Sequence, residues 1–156
     1  MWMDRIDIVI PGIPIAKGRP CFSVRGGHVH TYTPQKTREY EERIQGCFLR
    51  KYGADETPIF QKGVPLRIDV TCYFPVPKSA SIAVRTDMEN GGIQMTKRPD
   101  LDNLQKCWDA LILDKKRRIG YAMEDDSQVV EVHAAKCYSN TPRTEIRIER
   151  LKGETK

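Results

Sequence analysis

The chain has 156 residues and a net charge of +5, with 39% hydrophobic and 30% charged residues, which is the composition of one soluble globular domain with an ordinary core. No apolar run approaches the ~20 residues of a membrane span, and the opening MWMDRIDIVIPG carries acids inside its short apolar run, so it reads as a first strand rather than as a signal peptide. The five cysteines are odd in number, widely spaced and free of any CxxC, so they argue against a zinc site or disulfide framework and for reduced thiols in a cytoplasmic protein.

In chain order, 5-RIDIVIPG-12 alternates apolar and polar residues and stops at Pro-Gly, which predicts a strand and a turn. In 16-AKGRPCFSVRGGHVHTYTP-34 the residues Phe22, Val24, Val29 and Tyr32 flank Gly26-Gly27, which predicts a hairpin with basic residues at its base. Thr33 as N-cap and Pro34 as first helical residue predict a helix running to Tyr52, with Tyr40, Ile44, Cys47 and Phe48 at helical spacing and Gly53 as its stop. In 65-PLRIDVTCYFPV-76, Leu66, Ile68, Val70, Cys72 and Phe74 share one face of a second main strand. Residues 77–99 show no clear periodicity and carry Lys78, Arg85, Lys97 and Arg98, so they read as a flexible loop, either DNA-contacting or merely disordered. A second helix is expected from Leu101 to Asp114, capped by Asp100, and two strands, 127–138 and 143–151, close the chain. The expected fold is α+β: a single domain over 1–156, a mixed β-sheet with two main helices.

The charge is unevenly spread. Residues 100–131 hold eight acids and five bases and are net −3, so the remainder is +8. A basic body suits a polyanion, whereas an acidic knot repels one unless a cation sits between them. At about 100° per residue, Asp102, Lys106 and Asp109 fall on one helix face, opposite Leu101, Leu104, Trp108, Leu111 and Ile112. Asp100-x-Asp102 at a helix start and 124-EDD-126 at a strand start place hard oxygen donors where they can converge on Mg²⁺. An ordinary solvated face with an i,i+4 Asp102–Lys106 pair accounts for the first of these equally well. Lys106 beside a metal site would stabilise charge on a phosphate or departing oxygen. His28, His30 and His133 read better as surface or half-buried side chains than as ligands, since aspartate oxygens already suit Mg²⁺.

The run 100-DLDNLQKCWDAL-111 followed by 125-DDSQVV-130 resembles the signature of the RusA family of Holliday junction resolvases, and 11-PGIPIAKGRP-20 with 32-YTPQKTREYE-41 is similar to its phage and Gram-positive type members. The resemblance extends from about Ile6 to Ile148. It implies a Mg²⁺-dependent endodeoxyribonuclease, with Mn²⁺ as a substitute, acting as a homodimer on four-way DNA junctions in recombination and repair, without organic cofactor or membrane. By position it implies Asp100, Asp102 and Asp126 as catalytic carboxylates and metal ligands, Asp125 as an acidic neighbour and further ligand, and Lys106 as the catalytic lysine. Asp109 would be a supporting acid and Lys136 a phosphate contact. Candidate backbone contacts are Lys17, Arg19, Lys97, Arg98, Lys115, Lys116, Arg117 and Arg118. Cys21 stands where related sequences often continue with arginine. The alternatives are a nuclease selective for forks, flaps or D-loops, a junction-binding protein without cleavage, and an acidic protein-interaction patch.

Overall fold

The computed structural model describes residues 3–153, so the ends of the 1–156 span lie outside the described residues. Four strands, β1 (Arg5–Pro11), β4 (Leu66–Pro75), β5 (Val129–Ser139) and β6 (Arg143–Arg150), form a mixed sheet in the order β1-β6-β4-β5. β4 and β5 run parallel, and β6 is antiparallel to both β1 and β4. Alternation decides which face is buried. Ile6, Ile8 and Ile10 of β1, Leu66, Ile68, Val70 and Cys72 of β4, and Ile146 and Ile148 of β6 are all at most 3% exposed. Each such side chain contributes roughly 1.5–3 kcal/mol by leaving water. The opposite face carries Asp7, Asp69, Glu145 and Arg147 in solvent-side ion pairs, including Arg147–Asp7 at 2.8 Å and Arg67–Asp69 at 3.3 Å.

The apolar face is covered by α1 (Gln35–Tyr52), which buries Tyr40, Ile44 and Phe48 together with Thr37. The helix begins one residue later than the Thr33-capped start the sequence suggests. Pro34 keeps an extended ψ of 144° and is itself the cap residue, with no side-chain cap bond. Gly53 ends the helix as expected, at φ 84° with its N–H on the Leu49 carbonyl. The hairpin, β2 (Cys21–Arg25) and β3 (His28–Tyr32), forms a separate two-stranded sheet around Gly26-Gly27.

Parallel neighbours need a long crossover, and residues 76–128 supply it. Its first part, read as an aperiodic loop, holds an eight-residue helix, α2 (Ile82–Glu89), capped by the Ser81 hydroxyl accepting from Val84 N–H. None of its residues is buried, which is why no apolar period announced it. Next comes the acidic helix, and it is shorter than the expected Leu101–Asp114. Only Leu101–Gln105 (α3) is α-helical, Lys106–Leu111 is a 3-10 helix, and Ile112 is extended. Leu104, Cys107 and Ala110 are buried at a spacing of three, the period of the tighter helix. The chain then returns through buried Tyr121, Ala122 and Met123. A Cβ at Gly120 would lie 2.3 Å from the Thr57 carbonyl carbon, so only glycine passes there.

Candidate active site

The acidic crossover lies along the edge strand β5. Near one end, Lys136 reaches off β5 and donates to the carbonyls of Lys97 at 2.9 Å and Pro99 at 3.0 Å. This holds the residues just before Asp100, where the Arg98–Pro99 peptide is cis. The ammonium read as a phosphate contact thus has two of its three donors on backbone. Asp100 occupies the cap position of α3, yet its side chain makes no cap bond and the residue is exposed. The Asp102 side chain is 76% exposed and lies 3.7 Å from the Lys106 ammonium, the i,i+4 pair the spacing predicts.

Asp109 departs from the outward stripe drawn at α-helical pitch. After the change to 3-10 geometry it is half-buried and takes a 2.8 Å ion pair from Lys17. Lys17 also stands 3.9 Å from Glu41 of α1, and its backbone N–H donates to the Asn103 carbonyl at 3.0 Å. Burial pushes the Glu41 carboxyl above its ordinary value, against the pull of Lys17. Lys17, expected on a DNA backbone, therefore ties the N-terminal segment and α1 to the acidic helix. Gln45 adds a bond from α1 to the Ala110 carbonyl at 3.1 Å.

The second acidic knot is a single 3-10 turn, Asp126–Gln128, set just before β5 rather than in it. Asp125 caps it, accepting from Ser127 N–H at 3.2 Å. Gln128 is 4% exposed. Its amide oxygen accepts from the N–H groups of Glu124 and Asp125, and its amide nitrogen donates to the carbonyls of Phe60, Gln61 and Val64. One buried side chain thus fixes the whole turn against the 60–64 loop. The sequence reading passed over its role, although Asp-x-x-Gln is the pattern of a capping box. Glu124 turns away and accepts from Lys62 N–H at 2.9 Å.

Asp125 and Asp126 are adjacent acids whose carboxyls perturb one another through a side-chain hydrogen bond. That bond to Asp126, helped by the Ser127 N–H, lowers Asp125, and the same bond raises Asp126, with the charges of Asp125 and Asp109 adding to the rise. Among the described residues, no three His, Cys, Asp or Glu side chains stand together as a metal-holding group. The donor chemistry nonetheless fits a hard divalent cation: carboxylate oxygens only, with two adjacent acids at Asp125–Asp126.

The turn bearing Lys115, Lys116, Arg117 and Arg118 is exposed, with the Asp114 carboxylate accepting from two of its N–H groups. Lys97, Arg98 and Arg19 are exposed as well. The histidines 28, 30 and 133 lie at the surface, and the five cysteines are free thiols. No helix of the described residues is long and apolar enough to cross a membrane.

The family model described as Endodeoxyribonuclease RusA matches residues 11–149. The chain is 34% identical over 151 residues to uncharacterized protein YqaN of Bacillus subtilis (strain 168), across 96% of this chain and 99% of that one. It is 30% identical over 122 residues to crossover junction endodeoxyribonuclease rusA of Lactococcus phage r1t, across 78% of this chain and 79% of the phage protein.

Proposed function

The chain belongs to the RusA family of endodeoxyribonucleases, and from that premise we propose that it resolves Holliday junctions in DNA recombination and repair, in the cytoplasm, by paired symmetric hydrolysis of phosphodiesters. The observation that carries this reading is the arrangement of both acidic motifs along β5, with the pKa of Asp126 raised by its neighbour Asp125 and by Asp109. Asp100, Asp102 and Asp126, with Asp125 beside them, would hold Mg²⁺ or Mn²⁺. Such an ion supplies Lewis-acid polarisation of a phosphate oxygen and a lowered pKa for water.

The remaining work falls to this chain's own groups. Lys106, held near Asp102, brings positive charge to the scissile phosphate and the departing oxygen. Lys136 and Lys17 position the acidic helix, one from each end. Exposed Arg19, Lys97, Arg98 and the 115–118 turn bind phosphates, with the steep salt dependence of such contacts. The segment 77–99, α2 included, is the part of this single domain that would meet DNA, through exposed Lys97 and Arg98.

A four-way junction presents two related strands, which suits a C2 dimer with two equal sites. Two features favour a homodimer: β5 is an edge strand, and Val132, which lies beside core-facing Ile68, is 40% exposed. The test is a synthetic junction incubated with wild type and Asp102→Asn, with and without Mg²⁺. Paired symmetric nicks that require both the ion and Asp102 are expected. Tight binding with no cutting under any divalent metal would leave only a junction-binding protein.

A further inference from the structure

The β2–β3 hairpin is built unlike the rest of the molecule. Its strands pair with each other and have no extensive packing on any other element. A lone two-stranded ribbon is marginal in water, so its side chains need a partner that the rest of the fold does not provide. The pairing register sorts them. Arg25 faces His28 and Ser23 faces His30 on one side, while Val24 faces Val29 and Phe22 faces Thr31 on the other. The first side is polar and basic towards the tip, with Cys21 facing the exposed Tyr32 at its base. The second leaves Phe22, Val24 and Val29 at 70%, 71% and 66% exposure.

The charge around the ribbon selects the partner. Between Asp7 and Glu39 the chain has no acidic residue, and it carries Lys17, Arg19, Arg25, Lys36 and Arg38. The ribbon also springs from the candidate site: its base follows Lys17, which is bonded to Asp109 and Asn103, and Gly18, whose N–H is held by Thr37. From there five residues per strand reach roughly 17 Å.

We propose that this hairpin is an arm that reads the branch point of the junction. The Arg25/His28/His30 face lies on phosphates of one duplex arm, and the Phe22/Val24/Val29 face lies against bases left unstacked where the strands exchange. A linear duplex offers the first surface and lacks the second, so the two faces do different things: one sets affinity, the other sets preference for junctions. The proposal rests on junction DNA being the substrate.

The test is fluorescence anisotropy of the full chain, without divalent metal, on a labelled four-way junction and on a linear duplex of the same arm sequence, across a salt series. The triple variant Arg25→Ala/His28→Ala/His30→Ala should weaken both DNAs by about tenfold and reduce the salt slope by about one. Phe22→Ala/Val24→Ser/Val29→Ser should weaken the junction by about tenfold and leave the duplex within about twofold, since only stacking is removed. Melting temperatures should not move, because the ribbon stands outside the core. Both variants binding as wild type does would overturn the arm while leaving the nuclease intact. Conversion of the apolar variant from dimer to monomer in sedimentation, with each DNA bound as before, would overturn it too and assign that face to a second copy. Wild type binding neither DNA would refute the function itself.

Discussion

Gln128 is the residue on which the acidic turn depends. Its five hydrogen bonds satisfy two backbone N–H groups and three carbonyls from segments more than sixty positions apart. Gln128→Ala should cost about 3 kcal/mol in a urea melt, because the orphaned groups keep their desolvation penalty. Asp126 behaves differently. Its folded pKa is raised, first by the bond to Asp125 and then by burial and the charges around it. The native chain therefore binds a proton at this site more readily than the unfolded chain does. Stability from that site is present below the ordinary carboxylate range and is lost as pH rises through the raised value. Asp126→Asn cannot ionise, so it should melt higher than wild type at neutral pH, with the difference vanishing in acid. Excess Mg²⁺ should raise the melting temperature of wild type and do less for the variant, since the cation relieves the same repulsion. An Asp126→Asn protein that melts at or below wild type at pH 7 would dispose of this reading.

Among the elements, the acidic helix and β5 are joined by side chains rather than by a continuous hydrogen-bond ladder. Lys136 is the main tie, with Lys17 and Gln45 fastening the opposite side. Lys136→Met removes two exposed or half-exposed bonds at a cost of about 1–2 kcal/mol. Its larger effect should be on geometry: junction cleavage is expected to fall between tenfold and a hundredfold, on the order of what small misplacement costs. Trypsin should cut more readily after Lys97 in the same variant. Unchanged cleavage would show that the 97–100 segment keeps its position by other means. The sequence could not display these ties, because they join residues 37 to 92 positions apart. It also misjudged the helix: assuming α-helical pitch put Asp109 on an outward stripe, and the change to 3-10 pitch after Gln105 turned it towards Lys17.

At the scale of the whole molecule, the apolar residues of the sheet's working face are covered except at the start of β5. Val132 remains 40% exposed on an unpaired edge, just after the register shift at Val130. Val132→Asp is expected to convert the proposed dimer to a monomer in sedimentation, while the monomer keeps its fold because that side chain is already 40% exposed. Unaltered sedimentation would place the dimer contact elsewhere. The period-two runs of β1, β4 and β6, the Gly-Gly hairpin, the length of α1 and the spacing of the acids are local properties, and the sequence by itself determined them. Strand alternation follows from backbone geometry, and a motif is a statement about neighbours in the chain. Sheet order, the parallel pairing of β4 with β5, the 3-10 ending of the acidic helix and the commitments of Lys17, Lys136 and Gln128 were decided only by tertiary structure. Each depends on which distant carbonyl, carboxylate or apolar surface lies within reach, and that is set by packing energy across the crossover rather than by the propensity of any one segment.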